Sequence, residues 1–171
     1  MSEKGRGMKQ WQAVALDLIN VAFANRAKPS VLTDSKQLSD FEYQEVISFQ
    51  GMYWQDVTFD QVERYPDAVF WFSPEAFCYY LPGMLAAGLR ENRWDLNVYD
   101  SLIGCLDRSP RPDYWDDFFL PRWTRLTAAE VSAVAAWAKW LELVQPDAFH
   151  SNTYDRVQDT LTLLKERQSS E

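Results

Sequence analysis

Histidine occurs once in the 171 residues, at His150. Because histidine is the usual general base and metal ligand near neutral pH, serine–histidine, cysteine–histidine and histidine-rich metal designs all rest on that one side chain. It stands in the polar stretch Phe149-His150-Ser151-Asn152, which reads as a solvated loop. Glycine is nearly as scarce, with six in all and two of them within the first seven residues. No GxGxxG or Walker-type loop can be assembled from them, so nucleotide-dependent catalysis by the common folds has no support and no cofactor is implied. The two cysteines, Cys78 and Cys105, fit neither a CxxC pair nor a zinc spacing, and their apolar neighbours predict two buried thiols in a reducing compartment.

Long apolar runs are missing as well. Nothing approaches the roughly 20 residues needed to span a bilayer, and no hydrophobic leader follows the opening Met1–Gly7. The expectation is a cytoplasmic protein with no membrane partner. Positive charge is also short, with 17 Lys and Arg against 25 Asp and Glu for a net −8. A nucleic-acid backbone rewards clustered cations, so nucleic acid is not expected as a partner. A basic protein would be steered toward such a surface.

Large rings are abundant. Eight Trp, eight Tyr and ten Phe make up 15% of the chain, enough to build a core around aromatic side chains. The length suits one domain. Helical periodicity and capping signals recur along it, which predicts an all-α domain of about seven helices over residues 9–167, with polar tails at 1–8 and 168–171. Trp11, Val14, Ala15, Leu18 and Ala22 recur at three- and four-residue spacing over 9–27, widened by Ile19 and Phe23. Ser39 with Glu42, Thr58 with Gln61, and Thr127 with Glu130 each read as a capping box ahead of a helix. Gly51 closes the first of these helices. Two further helices are expected over 95–106 and 153–167.

The centre, residues 67–83, is the most distinctive stretch. Residues 68–72 read as a short buried extended piece or one apolar turn. Ser73, Pro74 and Glu75 then mark a helix start, through an N-cap, a first-turn proline and an acid at the positive dipole end. Pro82 is expected to kink or break that helix. Tyr79 and Tyr80 lie roughly 100° apart around it, so one ring is expected in the core and the other at the surface or in a groove.

Carboxylates are the remaining chemistry. Asp113, Asp116 and Asp117 flank Tyr114 and Trp115, with Asp95 and Asp100 upstream and Asp67 and Glu75 beside the central motif. Such a cluster can work in acid–base catalysis, hold Mg²⁺ or Ca²⁺ through oxygen, or face a partner. The leading expectation is a partner-binding surface at Asp113, Tyr114, Trp115, Asp116 and Asp117, joined by Tyr79 and Tyr80, with no catalytic or metal-ligating residue assigned.

The segment Phe72–Leu85, with its Pro-Glu-Ala-Phe start and Tyr-Tyr-Leu-Pro step, resembles the signature of a family of small bacterial proteins of unknown function. Gly51 with Trp54 ahead of it, and Leu126 with Thr127 behind, match further elements of that pattern. The resemblance implies a compact domain and brings no catalytic residues. The function expected is therefore non-enzymatic protein binding, in its sharpest form an acidic immunity or antitoxin-type protein that neutralises a basic partner. The alternatives are a small-molecule binder with a pocket at the Pro82 kink, and a carboxylate-dependent Mg²⁺ or Ca²⁺ enzyme.

Overall fold

The computed structural model describes residues 1–170. Nine α-helices follow one another, with no strand among the described residues. They are α1 (Glu3–Ala22), α2 (Asp40–Ile47), α3 (Phe59–Arg64), α4 (Ala68–Trp71), α5 (Pro74–Glu91), α6 (Asn97–Leu106), α7 (Phe119–Trp123), α8 (Ala128–Val144) and α9 (Thr153–Gln168). Tight 3-10 turns lie at Trp54–Asp56 and Pro112–Tyr114.

The caps explain most of the boundaries. Ser39–Glu42 and Thr127–Glu130 form both halves of the reciprocal box. At Thr58 only the forward half exists, because the Gln61 side-chain amide donates instead to the Ser48 carbonyl. Ser73 Oγ accepts from the Ala76 N–H and donates to the Val31 carbonyl, so one hydroxyl both starts α5 and fastens the 29–38 loop to it. Asn92, at φ 51°, ends α5 in the left-handed conformation, a role usually given to glycine. α2 stops at Ile47, two residues before the position required by closure at Gly51; Gly51 itself, at φ 77°, turns the chain after a further loop.

α5 is the axle of the domain. Every residue from Ala76 to Leu89 is buried, and α1, α3, α7 and the Trp54 turn all pack on it. A helix apolar on all sides has to be enclosed on all sides. The helix runs through Pro82 without interruption, which corrects the expected break: its neighbours hold the backbone where the missing N–H weakens it. The space expected at a kink is filled. A Cβ added to the next residue, Gly83, would lie 2.5 Å from the Trp54 carbonyl oxygen, so the Trp54 turn sits directly on the helix backbone.

Trp54, Trp123, Trp137 and Trp140 are fully buried, so the aromatic excess largely builds the core. Residues 68–71 form one helical turn, the second of the two readings given to that segment. α1 starts at Glu3, capped by the Ser2 hydroxyl on the Gly5 N–H, so helix occupies most of what read as a polar tail. It also ends at Ala22, five residues earlier than its periodicity suggests.

The C-terminal side is a three-helix layer. α1 lies antiparallel along α8, and Arg26 joins the two by a double hydrogen bond to Glu130, Nε to Oε1 at 2.8 Å and Nη2 to Oε2 at 2.5 Å. Burial of Glu130 makes that pair an anchor rather than a surface contact. α9 runs antiparallel on the other flank of α8, tied by Gln158 to the Ala135 carbonyl and Gln168 to the Thr124 carbonyl. α8 is thus the floor, with α1 and α9 as walls.

Candidate functional site

Reactive groups are mostly committed to structure. No three His, Cys, Asp or Glu side chains are placed to hold a metal ion together among the described residues. Cys78 is buried, and burial pushes its thiol up to about 12, far from the thiolate a nucleophile needs. Cys105 is only partly buried, a correction to the expectation of two enclosed thiols; burial raises its pKa too. His150 is exposed beside Asp107, whose two oxygens are taken by Arg156 at 2.5 and 2.8 Å.

The aromatic–acidic cluster divides in two. Asp116 Oδ1 accepts the Phe118 and Phe119 N–H groups at 3.1 and 2.8 Å, which starts α7, and Oδ2 pairs with Arg108 at 2.5 Å. The N–H bond from Phe119 and the adjacent Arg108 guanidinium hold this carboxyl below the usual range. Trp115 is buried, with its indole N–H on the Ser109 carbonyl and its ring edge-on to Phe119. Asp113, Tyr114 and Asp117 face solvent, as does Asp116 despite its bonds.

Tyr79 and Tyr80 correct the expected split. Both are buried, at 2% and 1% exposure, with rings 4.9 Å apart and nearly perpendicular. Tyr80 donates to the Phe49 carbonyl at 2.6 Å, and burial pushes its hydroxyl up to about 12. A 100° separation moves a side chain to another face, but every face of α5 is interior. Neither ring belongs to a partner surface.

A wide apolar concavity lies elsewhere. The α1–α8–α9 layer encloses an open groove of about 550 Å³, walled by Trp11, Val14 and Leu18 on one side and by Leu161 and Thr162 on the other. Its floor is small: Ser132, Ala135 and Ala136 of α8. Val14 and Leu18 are 36% and 38% exposed, and Val21 extends the same stripe at 78%. Water touches an apolar surface that the fold leaves uncovered. Lys139 and Lys165 are the only charged residues in the lining.

Sequence reasoning missed this groove, although a signal was present. The apolar positions of α1 cover well over half of its circumference at roughly 100° per residue, whereas an ordinary surface helix carries one stripe. Ala15, Ile19 and Phe23 form the buried stripe, and Trp11, Val14, Leu18 and Val21 form a second. Reading both as one broad face hid the second.

The chain belongs to a family of unknown function, DUF6714. The match runs over residues 12–160, from the middle of α1 into α9. It therefore takes in Val14, Leu18, the whole of α8 and Gln158, while Trp11, Leu161, Thr162 and Lys165 fall just outside. No curated protein and no solved structure matches. No helix among the described residues is long and apolar enough to cross a membrane.

Proposed function

We propose that this member of DUF6714 is a non-enzymatic protein-binding protein whose docking surface is the α1–α8–α9 groove. The observation that carries the reading is the second apolar stripe of α1, Val14–Leu18–Val21, left open to water beside a floor of small residues. Contiguous apolar surface on an otherwise charged protein marks a place where something docks. The half-covered Trp11 at the edge of the groove is the type of anchor on which binding energy concentrates. A walled channel on three helices accepts a helix, one of the recurrent modes of protein recognition.

The test uses a photo-crosslinking amino acid at Ser132, with the same probe at exposed Lys36 as control. One recurrent adduct at Ser132 and none at Lys36 is expected. Its purified protein should bind the full chain in calorimetry, and Ala135→Trp should weaken that binding at least tenfold while leaving circular dichroism unchanged. Adducts that are the same at both positions would dismiss the reading.

A second reading keeps the basic partner of an immunity-type protein. The net −8 and the outward Asp113, Tyr114 and Asp117 favour it. Charge of that kind acts on association rate more than on affinity. An Asp113→Asn/Asp117→Asn double variant should slow capture of a basic partner severalfold in stopped-flow mixing; an unchanged rate would discard this surface.

A further inference from the structure

We propose, resting on the docking role of the α1–α8–α9 groove, that its occupant is an acidic amphipathic helix of a partner protein, about three turns long. The first ground is charge. In a chain where acids outnumber bases 25 to 17, the groove lining holds two lysines and no carboxylate. Asp17, Glu142 and Glu166 are close in sequence to lining residues but lie outside the lining.

The second ground is where the lysines stand. The Gln158–Ala135 and Gln168–Thr124 bonds fix α9 against α8, which puts Lys165 about level with Thr127, the cap of α8. Lys139 is some twelve residues further along, so the two lysines lie about 18 Å apart along the helix axis at 1.5 Å per residue. A helix of about three turns spans that distance. Aspartate or glutamate toward each of its ends meets one lysine, and leucine-type side chains between them meet Val14, Leu18 and Leu161.

The third ground is the floor. Ser132, Ala135 and Ala136 let a helix axis come within the 8–10 Å typical of packed helices. Lys139 already reaches Glu142 at 2.7 Å, but both side chains are about a third exposed or more, and such a surface pair yields readily to a better-placed carboxylate. Lys165 makes no ion pair among the described residues.

Two labelled 14-residue helical peptides with the same leucine stripe test this, one flanked by glutamates and one by lysines, titrated against the full chain by fluorescence anisotropy. The net −8 of the protein favours the lysine peptide through bulk charge, so the opposite order is diagnostic. The glutamate peptide is expected to bind at least tenfold tighter. Lys139→Glu/Lys165→Glu should invert the preference, and Ala135→Trp or Leu18→Asp should abolish both interactions. Equal binding of the two peptides, lost in Ala135→Trp, overturns the acidic partner while leaving the docking role standing. Absence of binding by either peptide overturns the helical occupant. Concentration-dependent dimerisation of the chain alone, dispersed by Leu18→Asp in sedimentation, overturns it in favour of a second copy.

Discussion

α1 and α5 are similar in length and both rich in apolar residues, yet they have opposite surroundings. α5 is enclosed on every side from Ala76 to Leu89. α1 buries Ala15, Ile19 and Phe23 and leaves Val14, Leu18 and Val21 in contact with water. Apolar content sets how much surface a helix would gain by hiding, about 25 cal/mol per Å². The number of neighbours available to hide it is a property of the whole fold. α5 has partners all round; α1 has α8 and α5 as main partners and leaves its outer stripe open to water.

The sharpest way to break that contrast is on adjacent residues of α1. Ile19 is fully buried and Leu18 is 38% exposed. Ile19→Ala should cost about 3 kcal/mol in urea unfolding, through lost burial and an unfilled cavity. Leu18→Ser should cost under about 1 kcal/mol, since surface changes rarely cost more. Equal losses would mean that the second stripe is part of the core.

On α5 the contrast is sharpened by Gly83→Ala. Helix propensity alone favours alanine by about 1 kcal/mol. The added methyl would meet the Trp54 carbonyl oxygen and the Val57 side chain, at 2.5 and 2.9 Å. Overpacking against backbone wins, and a net loss of about 2 to 3 kcal/mol is expected in chemical denaturation. The same glycine-to-alanine change at Gly104, with open space around it, should stabilise instead.

Arg26→Met tests what fixes α1 as a wall. It leaves the Glu130 carboxylate buried without its cation, at a cost of about 2 kcal/mol after allowance for the partly exposed guanidinium. Thermal unfolding monitored by circular dichroism measures it. Glu130 keeps its bond from the Thr127 N–H, so the start of α8 should survive.

The smallest effect concerns Glu45, which accepts from the Asp67 N–H at the start of α4 and is buried without a cation partner. Desolvation, with the nearby Asp67 charge, raises its pKa from the ordinary 4.5. The folded state then holds its proton more tightly than the unfolded chain, so stability falls as pH rises from about 4.5 through the raised value. Glu45→Gln keeps an acceptor oxygen and removes the charge. Its stability relative to the parent should be more favourable at pH 7 than at pH 4, read from urea midpoints. Asp107 has the opposite sign: Arg156 lowers its pKa, so its contribution is present at neutral pH and is lost as pH falls through the lowered value.

Much of the fold could be read from local chemistry, because caps act over three or four residues. The Ser39, Ser73 and Thr127 starts stand where hydroxyl and acid spacing puts them. α7 was missed for an instructive reason: Asp116 caps it, but an acid among aromatics reads equally well as a binding site. The candidate site was largely illegible. Lys139 and Lys165 come from different helices and line one groove only because α9 folds back along α8. Tyr79 and Tyr80 failed as surface candidates because helix geometry assigns directions and says nothing of what lies in them.

The sequence by itself determined that the chain is helical, where several helices begin, and that histidine-rich and phosphate-loop motifs are missing. Those are consequences of side-chain inventory and of interactions that close within one turn. Tertiary structure alone decided that α5 is interior, that the helix continues through Pro82, and that the outer stripe of α1 remains open beside two lysines. Burial depends on which helices arrive as neighbours, and that is settled by contacts between residues a hundred or more positions apart, such as Arg26 and Glu130.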